Sequence, residues 1–250
     1  MLRILVYIGL LLLPVLAGAQ DVQQLLKEAA ALEASMRDAE AFVKYQQVVK
    51  AQPTNLQALC KCSELSSKLG HRQKEHNTQV TYYEVAFKYA DLALKVNPSS
   101  TDANFVMALA MGRMALVSAG RKQVEAVNDI KKYAERTIKY GPNDFRGYHV
   151  LGKWYYEITN LGSFKRTAVK VFYGGFPSAS YEEAIKCYEK SMALNPDFNL
   201  NYLELAKVYH KTGRNDKARE LLHKLQAMPH RMEDDKRIKD EGAKLLASLQ

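Results

Sequence analysis

From residue 21 onward the apolar positions recur every three to four residues. Between 21 and 36, Val22, Leu25, Leu26, Ala29, Leu32 and Met36 hold i, i+3, i+4, i+7 spacing, which predicts an amphipathic helix with one buried stripe. Four later segments share a stricter pattern: a small or apolar residue, a second four on, a third seven on, and a proline twelve on. They are Ala41, Tyr45, Val48 and Pro53; Ala86, Ala90, Ala93 and Pro98; Ile130, Ala134, Thr137 and Pro142; and Ala184, Tyr188, Ser191 and Pro196. A fifth, Ala218, Leu222 and Leu225, reaches Pro229 one residue early. Offsets of four and seven lie on one helix face, and small residues there let a neighbouring helix come close. Each proline ends its helix. Thr54 with Gln57 and Ser180 with Glu183 have capping-box spacing. No alternating β-branched run reads as a strand, so the chain is expected to be all-α.

This spacing is that of tetratricopeptide repeats. The first helix of such a repeat carries a large residue, then Leu, Gly and Tyr three, four and seven further on. Tyr148, Leu151, Gly152 and Tyr155 match fully; Tyr202, Leu205, Ala206 and Tyr209 follow with the turn residue Gly213. The copies at Leu59, Cys62, Ser63 and Ser66 and at Asn104, Met107, Ala108 and Met111 are weaker. The expected fold is a tetratricopeptide-like α-solenoid of about five irregular helix pairs, with terminal capping helices over 21–36 and 232–250, as one domain over 20–250. Successive prolines lie farther apart than the ~34-residue repeat in every interval but the last. The longest interval holds an insertion over 158–179. Within it Phe164, Ala168, Val171 and Phe172 share one helical face, expected to pack the insertion onto the solenoid. Ser163 would cap this extra helix and Gly174-Gly175 would end it.

The first nineteen residues have a different pattern. Arg3 precedes an apolar run from Ile4 to Leu16, closed by Ala17-Gly18-Ala19. At ~1.5 Å per residue the run spans about 20 Å, short of a ~30 Å hydrocarbon core. A cleaved signal peptide over 1–19 is expected, with export to a periplasmic or secreted location; a retained N-terminal membrane anchor is the alternative. Three cysteines are too few for a disulfide framework, and no CxxC occurs.

Hydrophobic content of 47% and charged content of 25% are ordinary globular values. The formal net charge of +9 favours anionic partners. Catalysis is not expected. The six histidines form no HExxH, Gly174-Gly175 lacks the Lys-Ser/Thr of a phosphate loop, and there is no GxSxG. No metal or cofactor site is expected, and diffuse cations without a reader motif argue against nucleic acid.

The block GYHVLGKWYYEI (Gly147 to Ile158), the inserted KRTAVKVFYGGFPSASYEEA (Lys165 to Ala184) and KSMALNPDF (Lys190 to Phe198) resemble the regulator of microtubule dynamics family. YYEVAFKYADLALKVNPSSTDAN (Tyr82 to Asn104) and YGPNDF (Tyr140 to Phe145) are similar to it as well. The resemblance implies an all-helical tetratricopeptide-like fold without catalytic activity, and microtubule association in eukaryotic members; the leader gives the chain the look of an exported, bacterial relative. It also implies that the first helix of each repeat lines a concave face. Mapped on this sequence, that face carries Phe105, Arg113, Arg146, His149, Lys153, Tyr156, Glu157, Leu200, Leu203, Lys207, His210 and Lys211. A basic face with an apolar floor suits a protein or peptide bearing carboxylates. Arg113, Arg146, His149, Lys153, Tyr156, Lys207, His210 and Lys211 are therefore the candidate protein-binding residues. Two other readings stand beside this one. One is a microtubule-associated regulator. The other is an envelope structural protein whose insertion, with Lys165, Arg166, Lys170, Phe164, Phe172, Tyr173 and Phe176, touches a membrane surface.

Overall fold

The computed structural model describes residues 21–249, and the predicted leader over 1–19 lies outside them. The side chains of 163–166, which include Phe164, Lys165 and Arg166 of the insertion, also lie outside the description. Twelve helices and no strand occur among the described residues. They are α1 (21–34), α2 (Asp38–Ala51), α3 (Leu56–Arg72), α4 (His76–Val96), α5 (Thr101–Val117) and α6 (Gly120–Tyr140). Then come α7 (Phe145–Asn160), α8 (Ser163–Tyr173), α9 (Tyr181–Leu194), α10 (Asn199–Lys211), α11 (Asn215–Ala227) and α12 (Asp235–Ser248). The pairs are α1/α2, α3/α4, α5/α6, α7/α9 and α10/α11. Their first members touch in sequence, α3 on α5, α5 on α7, α7 on α10 and α10 on α12, forming the inner layer of the solenoid. None of the described helices is long and apolar enough to cross a membrane.

The repeat marks are the core. Ala41, Ala86, Ala184 and Ala218 have no exposed surface, and Tyr45, Ala90, Ala134, Tyr188 and Leu222 are as fully buried one turn on. Gly152 explains one of these marks. A Cβ there would stand 3.1 Å from the Tyr188 ring, so the bare backbone of α7 receives the face of an α9 tyrosine. The helix over 21–34 buries Val22, Leu26 and Ala29 against Tyr45, Val48 and Leu65. It thus closes one end of the array while packing on α2 and α3, as α12 closes the other. Ile238 and Leu249 of the cap region close the cluster built on Leu205, Leu222 and Leu225.

Caps follow side-chain chemistry. The Ser180 hydroxyl accepts the Glu183 N–H at 3.1 Å. At α3 the cap is Asn55, whose side chain accepts the Ala58 N–H at 3.0 Å; Thr54 lies one residue back in the turn, and Asn is at least as good an acceptor there.

The insertion leaves α7/α9 intact as a pair. Its helix starts at Ser163 with Gly162 in the cap position, so Ser163 is the first helical residue and not the cap. Gly174, at φ 83°, ends it in the left-handed region. Of the face expected to pack inward, the two residues nearest its end do not. Val171 and Phe172 are each 71% exposed. Periodicity locates a face but not the side on which the neighbour stands, and here α8 meets α6 near Gly120, by the Tyr173 hydroxyl.

Cys60 and Cys62 are buried and Cys187 is half-buried, all free. Burial pushes each thiol up to about 12, so none is a ready nucleophile.

Candidate functional site

The inner helices present a row of charged groups, most of which meet a partner from a neighbouring element. Arg146 enters α7 beside its cap residue and contacts both Asp144 and Asp102 at 2.5 Å. Its guanidinium also lies 4.5 Å from the centre of the Phe105 ring. Lys153, two turns on, reaches Glu204 of α10 at 2.7 Å and Glu157 at 3.0 Å, and lies over the Tyr156 ring. Lys207 takes the other Glu204 oxygen at 2.9 Å and Glu241 of α12 at 2.7 Å. Glu204 is the centre of this cluster, with 7% of its side chain exposed. Burial alone would raise its pKa; Lys153 and Lys207 overcome that and bring it down to about 2.

His149 is packed edge-on against Tyr188 and Phe198. Its Nδ1 lies 2.9 Å from the Asn201 side-chain oxygen, while the Asn201 amide donates to the Tyr188 carbonyl at 2.8 Å. That orientation makes His149 the donor, and burial holds its pKa below the usual value. Tyr156 stacks obliquely on Tyr181 at 6.0 Å. His210 is exposed, with Nδ1 3.0 Å from the Asn215 oxygen. Lys211 is exposed and unpaired among the described residues.

The same design repeats toward the N-terminus with residues the repeat mapping missed. Glu64 is gripped by Lys68 at 2.8 Å and Lys61 at 3.7 Å. Burial would raise its pKa, but the two lysines draw it down to about 2. Glu33 accepts from Lys61 at 2.8 Å and from the Tyr45 hydroxyl at 2.7 Å. Spacing held a faint signal for the acids: Lys207 is three residues after Glu204 and Lys68 four after Glu64, both within helical pairing range.

The array also touches itself end to end. Arg72, on the last turn of α3, contacts Asp38 at 2.6 Å, Asp234 at 2.9 Å and Glu233 at 3.1 Å. The Asp38 N–H donates to Glu233 at 3.1 Å. The segment entering α12 therefore reaches back to α2 and α3.

Arg113 stands apart from this pairing. It lies on α5, in the middle of the inner layer, and burial pulls its pKa below the usual value. Its Nε is shut off from solvent with no acceptor, and no ion pair compensates the guanidinium among the described residues. Tyr83, Asp234 and Arg237 lie within electrostatic reach, but Asp234 is already engaged by Arg72. The structure thus brings Lys153, Lys207 and Tyr156 together around Glu204, and His149 beside Phe198. Arg146 is tied to two aspartates, His210 and Lys211 sit at the end of α10, and Arg113 is uncompensated at the centre. The face expected to be net basic thus carries acids, the buried Glu204 and the half-buried Glu64, between its cations. Among the described residues no group of three His, Cys, Asp or Glu is placed to hold a metal ion. A cleft of about 500 Å³ lies elsewhere, between Lys131, Lys132 and Glu135 of α6 and the segment from Gly174 to Pro177.

The pattern of the family described as "Regulator of microtubule dynamics protein 1-3" matches residues 25–250. Regulator of microtubule dynamics protein 1 of Mus musculus is 30% identical over 179 residues, which is 71% of this chain and 58% of that protein. Regulator of microtubule dynamics protein 3 of Rattus norvegicus is 23% identical over 222 residues, 88% of this chain and 47% of that protein. The chain thus matches only about half the length of these relatives. Among solved structures, a thermophilic TPR protein of Thermus thermophilus superposes with a TM-score of 0.68 at 16% identity, covering 90% of this chain and 99% of its own. The pilF protein of Pseudomonas aeruginosa gives 0.54 at 12% identity, covering 93% and 90%. At such identities the likeness establishes the tetratricopeptide-like fold.

Proposed function

The chain belongs to the family of regulator of microtubule dynamics proteins 1–3, and on that footing we propose that it is a non-enzymatic scaffold binding a carboxylate-bearing protein segment on its concave side. Arg113 carries this reading. A guanidinium held partly out of water without a counter-ion is unfavourable, and a planar carboxylate offers the paired acceptors that suit it. The neighbouring Arg237 is paired with Asp234 at 3.7 Å and Glu241 at 3.9 Å, and Lys153 and Lys207 are largely spent on Glu204, so of these Arg113 is the cation left open.

The test is fluorescence anisotropy with a labelled oligoglutamate peptide. Arg113→Ala removes a charge-assisted contact worth about 1.5–3 kcal/mol, so affinity should fall roughly ten- to hundredfold. Arg113 has no ion-pair partner to lose, so the melting temperature should not drop. Equal peptide affinity in wild type, R113A and R113E would sink the assignment.

A second reading follows from the names of the relatives. A chain with net charge +9 suits the acidic surface of a microtubule. Salt-sensitive co-sedimentation with microtubules is expected on that reading, and its absence removes it. The two readings part over residues 1–19. Export through a cleaved leader would keep the chain from a cytosolic polymer. N-terminal sequencing that begins at Gln20 supports cleavage and export, whereas an intact Met1 defeats the cleaved leader and leaves the retained anchor.

A further inference from the structure

We propose that the inserted helix α8 and the adjoining α5–α6 corner form a contact surface for an anionic lipid bilayer. The observations are independent of the concave side. Val171 and Phe172 are each 71% exposed, Leu116 is 65% exposed and Tyr173 39% exposed. Val171, Phe172 and Tyr173 are consecutive on α8 and Leu116 stands four residues before Gly120, more than the scattered single exposures normal for a soluble surface. They are joined structurally: the Tyr173 hydroxyl lies 3.5 Å from where a Cβ on Gly120 would stand, which ties the end of α8 to the start of α6. Arg121 and Lys122 follow directly on α6, and Lys170 lies on α8; all three are exposed and make no ion pair among the described residues. No acidic residue occurs from 158 to 181 to offset Lys170, and on α6 Glu125 is the one acid within a turn of Arg121 and Lys122.

Charge and shape together select the occupant. The exposed apolar side chains stand outward on a short helix instead of lining a groove, so they need a medium they can enter. An interfacial helix works in this way, with its apolar face in the headgroup–acyl boundary and its cations against anionic headgroups. The cations at the rim select an anionic bilayer over a zwitterionic one.

The test places an indole at the contact and reads its depth. In the full chain, Phe172→Trp adds one fluorophore to the native Trp154, which is buried and donates to the Val127 carbonyl at 2.8 Å, so the unsubstituted chain supplies the background. Vesicles of brominated phosphatidylcholine with phosphatidylserine should quench the introduced indole and shift its emission to the blue. High salt should abolish the effect, and vesicles lacking phosphatidylserine should give little of it. Because the signal is local to position 172, association through any other segment does not register. Arg121→Ala with Lys122→Ala should weaken the anionic response about fivefold per cation removed. Arg113→Ala should leave it unchanged, which separates this surface from the concave side. No quenching with either vesicle, or equal quenching with both, overturns the proposal. So does a blue shift given by soluble polyglutamate and not by vesicles, which would assign the patch to an acidic protein.

Discussion

Glu204 shows how a buried acid can organise a surface that otherwise reads as basic. With Lys153 and Lys207 each on one oxygen, it centres an ion triad between α7 and α10, which Lys207 extends to Glu241 of α12. Glu204→Gln should lower stability by about 2–3 kcal/mol in chemical denaturation, since both lysines lose their best partner. The acid dependence follows with a definite sign. Glu64 and Glu204 are held at about 2 when folded, below the ordinary value of about 4.3. Their stabilisation is complete above the unfolded value and is lost as pH falls from there toward 2, on the order of 3 kcal/mol each. Urea midpoints across this range should fall steeply in the wild type and less so in E204Q. Only the pairs within one helix, Glu204 with Lys207 and Glu64 with Lys68, left a trace in the sequence; the partner that crosses between helices did not. Lys153 and Glu204 are 51 positions apart, and a repeat template says which face a residue occupies, not which partner crosses to it. Arg113 was legible only as an inner-layer position; that its Nε would be left without an acceptor was not, because a template carries no partners. Gly152 was legible as a pure packing requirement. Gly152→Val should cost roughly 1–3 kcal/mol by overpacking Tyr188, measured as a lowered melting temperature.

At the scale of elements, the proline-and-alanine pattern revealed the helix pairs because both marks act locally: the small residue sets approach and the proline stops the helix. The insertion was legible as a helix for similar reasons, and Gly174 ends it as its position suggests. Its orientation was not, because an amphipathic pattern is satisfied equally by a protein neighbour or another apolar medium. Since α7 and α9 pack directly, α8 is an addition to the pair rather than part of it. Replacing 162–179 with a glycine–serine linker should therefore leave the melting temperature within a few degrees, while far-ultraviolet circular dichroism loses about one short helix. A collapse of the transition would mean that the insertion supports the α7/α9 pair.

For the whole molecule, the end-to-end contact at Arg72 matters most. One guanidinium holds Asp38, Asp234 and Glu233, and these groups have between 8% and 38% of their side chains exposed. Arg72→Ala should cost about 3 kcal/mol, because it strands carboxylates from both ends of the chain close together. Small-angle scattering should report a larger radius of gyration for this variant. A repeat array normally behaves as a one-dimensional lattice whose terminal units fray first, with unfolding spreading inward from two boundaries. A tie between the first pair and the last helix removes those boundaries and gives the lattice a periodic character. Hydrogen exchange in the wild type should then be nearly even from α2 to α12, and in R72A it should acquire a gradient rising toward both ends.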